Sequence, residues 1–287
     1  RAPAFAGVPV DTVFLGGGTP SIVPPRLMDG VLTALRGAFH ILPDAEITCE
    51  ANPGALSEET LAMLTAHGIN RLSLGVQAAQ PRLLALLGRI HTFEQAAQAV
   101  ALARRYGLRN LNADVMSGLP TQTQADYLDT INRVAALGVT HISAYSLIVE
   151  DGTPLARDVA NGVLTLPDPD MDADLCAAGR ERLAALGYER YEISNYARPG
   201  FACRHNLGYW HGKYYLGLGL AAHSMLPAPE DSGASWMRCN NPTDPAAYLR
   251  ALAKNCLPTT EGEAFVLPQE ARFEALMLGL RTVAGVN

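Results

Sequence analysis

Leu64-Thr65-Ala66-His67-Gly68, followed closely by Arg71-Leu72-Ser73-Leu74, has the form of a helix that closes on a glycine and then a short strand. A glycine just past a helix takes the left-handed conformation that ends it. The same unit recurs at Tyr106-Gly107 then Asn110 to Met116, at Leu137-Gly138 then His141 to Tyr145, and at Leu186-Gly187 then Tyr191 to Ser194. The helices carry start signals too. Ser57 stands before Glu58 and Glu59, where the helix dipole favours negative charge. Thr92 with Gln95, and Thr123 with Asp126, have the spacing of a capping box.

Upstream, Thr12 to Leu15 reads as a strand and Pro25 to about Phe39 as a helix, with Met28, Val31, Leu32, Leu35 and Phe39 on its apolar face. Ile47 to Cys49 reads as the next strand. Strands and helices alternating in this way predict an α/β fold with a parallel sheet, doubly wound or closed as a barrel. In every unit the polar residues gather at the C-terminal end of the strand: Gly16-Gly17-Gly18-Thr19, Glu50-Ala51-Asn52, Gln77, Asp114 and Tyr145-Ser146. Barrels place their sites on that face, whereas a doubly wound sheet uses one crevice, so the barrel is favoured. After Ser194 the pattern changes. Asn195 to Met225 is rich in Gly, Tyr and His, and Leu226 to Thr243 is loop-like. Helical stretches follow at about Asp244 to Lys254 and Pro268 to Leu280. The expected division is a barrel over 1–194 and a smaller C-terminal element over 195–287.

Composition narrows the class. The chain has 287 residues, 48% of them hydrophobic and 17% charged, which excludes a disordered chain. Twenty-two Lys+Arg against 28 Asp+Glu give a net charge of −6, with no block of like charge, so a nucleic-acid partner is not expected. No apolar run approaches the roughly 18 residues of a membrane span, and Arg1 to Val10 lacks the regions of a signal peptide. The expectation is a cytoplasmic protein that is not integral to a membrane. Cys49, Cys176, Cys203, Cys239 and Cys256 have no metal-binding or CxxC spacing and read as reduced thiols, small buried hydrophobes with Cys203 the exception.

Several stretches carry chemistry. Gly16-Gly17-Gly18-Thr19-Pro20 lies between a strand and a helix, where glycines expose backbone N–H groups and admit a ligand closely. It is neither a Walker loop nor GxGxxG, and a tight structural turn is the alternative. Glu50, stopped by Pro53, could accept both hydroxyls of a ribose or serve as a cap. Asp114 lies in the apolar strand Leu111 to Met116, where an unpaired acid costs free energy. Gln77 and Arg89 say little alone. His205-Asn206-Leu207-Gly208-Tyr209-Trp210-His211 is the densest cluster. Imidazole is a good iron ligand, and Tyr and Trp offer flat faces to a planar ring; a core plug with a capping His is the alternative.

In order along the chain, Gly16-Gly17-Gly18-Thr19-Pro20-Ser21, Glu50-Ala51-Asn52-Pro53, Asn70-Arg71-Leu72-Ser73-Leu74-Gly75-Val76-Gln77, Asp114 with Gly118-Leu119-Pro120, and Glu192-Ile193-Ser194-Asn195-Tyr196-Ala197 resemble the radical S-adenosylmethionine proteins related to oxygen-independent coproporphyrinogen III oxidase. His205-Asn206-Leu207-Gly208-Tyr209-Trp210 matches the HNxxYW signature of the family's haem-chaperone branch, which the true oxidases lack. The resemblance implies a partial (β/α)6 TIM-like radical SAM barrel. It implies S-adenosylmethionine as cofactor, with Gly17, Gly18 and Thr19 at the methionine amino end, Glu50 at the ribose, and Gln77, Arg89 and Asp114 completing the pocket. His205, Asn206, Tyr209 and Trp210 would bind haem for delivery to client haem proteins such as respiratory enzymes, with no catalytic residue assigned. The alternative is the oxidase itself, a radical decarboxylase of porphyrin biosynthesis. The family also carries a [4Fe–4S] cluster on CxxxCxxC, a motif this chain lacks. The expectation is a fragment trimmed at both ends, without the first barrel strand, the cluster loop and the C-terminal extension.

Overall fold

The computed structural model describes residues 2–256 and 261–286. The chain forms two compact units, Ala4–Ala202 and Cys203–Asn287. The first opens with β1 (Pro9–Leu15), α1 (Pro25–Ala38), β2 (His40–Ala51), α2 (Glu58–Ala66) and β3 (Arg71–Gln77). It continues with α3 (Pro81–Leu86), α4 (Phe93–Arg105), β4 (Asn110–Ser117), α5 (Gln124–Ala136) and β5 (His141–Ser146). It ends with α6 (Pro154–Ala160), α7 (Pro169–Ala185), β6 (Glu189–Arg190) and β7 (Asn195–Ala197). Its seven strands make one sheet in the order β1-β2-β3-β4-β5-β7-β6, with β1 to β5 all parallel. This is a curled half-barrel of the α/β class.

The repeat read from sequence is the frame of this unit. Ser57 caps α2 through the Thr60 N–H, and Thr92 and Thr123 close capping boxes with Gln95 and Asp126. Gly68, at φ +73°, ends α2 in the left-handed conformation, and the later repeats end the same way. Met28 and Leu32 of α1 are buried, but Val31 points to solvent, so the apolar stripe is narrower than expected.

Strand side chains alternate strictly between two environments. Ile47, Cys49, Leu72, Leu74, Val76, Leu111, Ala113, Val115 and Ile142 join one apolar core with the helices. The positions between them, Glu46, Thr48, Glu50, Arg71, Ser73, Asn112, Asp114, His141 and Ser143, face away from the helices. Parallel sheets are usually apolar on both faces. The second face here is instead polar and largely buried, so the inside of the half-barrel is lined by hydrogen-bonding groups rather than by apolar side chains.

The last repeat departs from expectation. Tyr191 to Ser194 is not a parallel strand. β7 pairs antiparallel with both β5 and β6. The cause is Glu192, which is buried and accepts the Ser194 N–H at 3.0 Å and the Asn195 side-chain amide, so the chain reverses around its carboxylate. The sheet consequently extends past the expected boundary at 194.

The second unit contains α8 (Arg204–Trp210), β8 (His223–Pro227), β9 (Trp236–Asn240), α9 (Pro245–Ala253), β10 (Glu261–Val266) and α10 (Pro268–Gly279). Its sheet is antiparallel, in the order β10-β9-β8. Leu226 to Thr243, loop-like in sequence, thus supplies β9 and the end of β8. Arg238 of β9 grips Glu274 of α10 with two parallel hydrogen bonds of 2.6 and 2.9 Å. All five cysteines are free thiols. Cys49, Cys203 and Cys239 are buried, whereas Cys176 and Cys256 are exposed, which corrects the expectation for Cys176, Cys203 and Cys256.

Candidate functional site

The residues singled out from the half-barrel come together at the C-terminal ends of β1 to β4. After β1 the chain turns through Gly17 and Gly18, both in the left-handed region at φ +79° and +70°, with open space where a side chain would stand. Only glycine takes both angles without strain. Thr19 follows, its carbonyl accepting the Ile22 N–H at 3.1 Å. Ser21 Oγ accepts the Asn52 N–H at 3.1 Å, and Asn52 in turn caps the turn at Pro53–Ala55. The glycine loop and the end of β2 are thereby fastened to each other.

Glu50 accepts a hydrogen bond from the Gly17 N–H. Burial raises its carboxyl pKa, the charge of Asp114 raises it further, and the Gly17 bond partly offsets both. Asp114 is pushed up to about 6, first by desolvation; the hydrogen bond from Asn112 and the charges of Arg71 and Arg89 oppose the rise. Two carboxylates close enough for the charge of one to raise the pKa of the other suit a cation or clustered donors.

Gln77 ends β3 at φ +68°, a strained angle for a side chain of this size, and it is buried with Oε1 lacking a partner. A buried acceptor left unbonded costs about 1–3 kcal/mol, which a bound donor would recover. Gly75 keeps the space beside it: a Cβ there would lie 3.2 Å from Gln77 Nε2 and 3.9 Å from Arg89 Nη1. Arg89 is set by the end of α3, its N–H bonded to Leu84 O after Gly88 turns left-handed. Gly17, Gly18, Thr19, Glu50, Gln77, Arg89 and Asp114 therefore share one end of the half-barrel.

Sequence reading missed Arg71, Asn112, His141 and Ser143 as parts of this interior, and it read Glu192 only as part of a motif. The signal was present. In β3, β4 and β5 polar residues recur at alternate positions, Arg71 and Ser73, Asn112 and Asp114, and His141 and Ser143, in strands that should be apolar on both faces.

The second candidate set lies in the other unit, on α8. Spacing of four residues puts His205 beside Tyr209 and Asn206 beside Trp210 on the helix surface. His205 Nε2 lies 3.1 Å from Tyr209 Oη, and the two rings meet edge to face at 4.9 Å. Tyr209 meets Tyr215 in the same way at 4.8 Å. Tyr209 is nevertheless 43% exposed, so the stack presents an open aromatic edge. Tyr215, the third ring, was not singled out in sequence because it stands outside the helical spacing.

Residues 2–134 match the family model of the radical SAM superfamily. Over 281 residues the chain is 40% identical to Heme chaperone HemW of Synechocystis sp., covering 98% of this chain and 66% of that protein. It is 34% identical over 276 residues to Heme chaperone HemW of Lactococcus lactis, covering 96% of this chain and 70% of that one. The chain thus spans about two thirds of the length of these curated relatives. Among solved structures, coproporphyrinogen III oxidase (HemN) from Escherichia coli, a radical SAM enzyme, aligns with a TM-score of 0.82 at 24% identity over 98% of this chain and 65% of that one, a likeness of fold. Identity at this level over nearly the whole chain, on a half-barrel of this topology, places the chain in the HemW family of radical SAM proteins.

Proposed function

We propose that the chain is the S-adenosylmethionine-binding core, together with a haem-binding unit, of a haem chaperone that acts in the cytoplasm and passes haem to client haem proteins such as respiratory enzymes. The observation that carries the first part is the buried, strained Gln77 with an unbonded Oε1, beside Arg89, whose charge in turn acts on Asp114. S-adenosylmethionine has the matching chemistry: an ammonium, a carboxylate, a sulfonium cation, a ribose diol and a planar base. Gly17, Gly18 and Thr19 would meet its amino-acid end, and Glu50 would accept the ribose hydroxyls. Gln77 would accept one donor, Arg89 would meet negative charge, and Asp114 would offset positive charge. Bound there, the cofactor supplies an activated carbon–sulfur bond; the protein supplies orientation and a water-poor polar lining.

The residues present do not fit a [4Fe–4S] cluster. Among the described residues no group of His, Cys, Asp or Glu side chains is placed to hold a metal ion. Among the described residues no helix is long and apolar enough to cross a membrane.

Haem is the cargo in this reading. His205 supplies an imidazole, Tyr209 and Trp210 supply flat faces, and Asn206 a polar edge, all on one short helix. The names of the relatives support this assignment. The test is a haem titration followed in the Soret band, on the chain and on His205→Ala, both first shown to be folded by circular dichroism. Saturable binding that the substitution abolishes is expected. Equal binding by both proteins would remove His205 from the haem site.

A further inference from the structure

Asn112 lies on β4 two residues before Asp114 and on the same side of the strand, and its amide has four partners. Nδ2 donates to Ser73 Oγ at 2.7 Å and to Asp114 Oδ1 at 2.8 Å. Oδ1 lies 2.6 Å from His141 Nδ1 and accepts from Ser143 Oγ at 3.2 Å. A primary amide has two N–H donors and two lone pairs on oxygen, so the capacity of Asn112 is filled. Its orientation is fixed as well. An ionised carboxylate only accepts, so Asp114 demands the NH2 end of the amide, and the carbonyl end is left facing His141.

Two consequences follow for the imidazole. His141 Nδ1 must carry a proton, because it faces an acceptor. The ring is fully buried, and desolvation together with the nearby charge of Arg71 holds its pKa well below the ordinary value. It is therefore neutral, and Nε2 keeps a lone pair. Tyr191 Oη lies 2.7 Å from Nε2, so the phenol is the donor. Tyr191 O–H, His141 Nδ1–H and Asn112 Nδ2–H then all point the same way, toward the Asp114 carboxylate. Aligned hydrogen bonds of this kind polarise one another in a low-dielectric interior.

We infer that Asn112 and His141 are positioning residues for Asp114, forming with Tyr191 a directed hydrogen-bond chain that holds this carboxylate in place at the candidate S-adenosylmethionine site. The ligand rests on the proposed function; the direction rests on the hydrogen-bond geometry and on the neutral, buried imidazole. The charge at position 114 sets the orientation of the Asn112 amide, and the amide sets the tautomer of His141. Without that charge the amide is free to turn, and the ring can carry its proton on Nε2 and donate to Tyr191 instead.

The experiment is nitrogen NMR on the full chain with labelled histidine, at mildly alkaline pH where Asp114 is ionised. The His141 signals are assigned by their loss in His141→Gln. The expected result is a single neutral tautomer with the proton on Nδ1, replaced by mixed or reversed tautomers in Asp114→Asn. A proton on Nε2 in the unaltered chain, or a tautomer indifferent to Asp114→Asn, would overturn the inference. Calorimetric titration with S-adenosylmethionine is the second measurement. Asn112→Leu should weaken binding by about tenfold to a hundredfold. Tyr191→Phe, which keeps the ring and removes only the hydroxyl, should weaken it by about threefold to tenfold, and it serves if the first variant fails to fold. Unchanged affinity in the folded variants would remove the positioning role. If the unaltered chain does not bind S-adenosylmethionine but His141 responds as expected, the cofactor assignment falls and the directed chain stands.

Discussion

The Glu50 carboxylate accepts the backbone N–H of Gly17, so the end of β2 holds the loop that follows β1 while facing Asp114 across the half-barrel. One side chain both shapes the glycine loop and lines the proposed cofactor pocket. Replacing it should show in binding more than in folding. Glu50→Ala is expected to weaken S-adenosylmethionine binding by about 1–3 kcal/mol, the range for hydrogen bonds to a charged group, measured by calorimetry in a protein that binds the cofactor. Unchanged affinity would return Glu50 to a purely structural role.

Binding should also depend on pH, with a definite sign. Asp114, pushed up to about 6, holds a proton below that pH in the free chain that a cation placed beside it would expel, and the upward shift of Glu50 acts in the same direction. Affinity for S-adenosylmethionine should therefore rise as pH increases through about 6, and binding below that should release protons. Calorimetry in buffers of different ionisation enthalpy measures the release directly. Proton uptake, or none, would place the cationic part of the ligand elsewhere.

Stability carries the same shift with the opposite trend. The ordinary Asp value is near 3.8, so between there and about 6 the folded chain keeps a proton that the unfolded chain has lost. The stability contributed by Asp114 is present at low pH and is lost as pH rises through that window. A displacement of about two pH units is worth roughly 3 kcal/mol at most, and less here because the residue is only partly buried. Glu50 acts in the same direction. His141 acts in the other: its lowered pKa favours the fold above its ordinary value of 6.5 and weakens it below. The clean measurement is the difference in unfolding free energy between the unaltered chain and Asp114→Asn across pH. The unaltered chain should gain on the variant as pH falls from about 7 to about 4. A flat difference would mean that Asp114 titrates normally.

In the second unit, Arg238 and Glu274 join β9 to α10 in a paired arrangement that lysine cannot reproduce. Arg238→Lys should lower stability by about 1 kcal/mol, since the pair is partly exposed. Urea unfolding checks this, and an unchanged midpoint would show the pair to be a surface contact without weight.

Much of the first unit was legible because its signals are local. Gly68, Thr92 and Thr123 act on their own turns, and each does in the structure what its spacing implied. The strand-end clustering of Gly17, Glu50 and Gln77 was legible for the same reason, since every parallel strand ends on one face; Asp114 instead sits within β4, three residues before its end. The reversal at Glu192 was not, because it depends on a buried carboxylate bonding to residues that follow it, and nothing in the alternation announces an antiparallel partner. Nor was the role of Asn112, whose four partners come from three strands. In the second unit, β8 and β9 were hidden by Pro, Gly and Ser residues that read as loop; pairing between strands, rather than propensity, makes that hairpin.

The Glu192 reversal has a consequence at the margin of the sheet. Because β7 turns back along β5 and only the two residues of β6 lie beyond it, that side of the sheet ends on a stub. A long open margin offers a row of unpaired backbone groups on which a second chain can template itself, and very short terminal strands are one way proteins suppress this. A single buried carboxylate that reverses the chain thereby also guards this margin against aggregation.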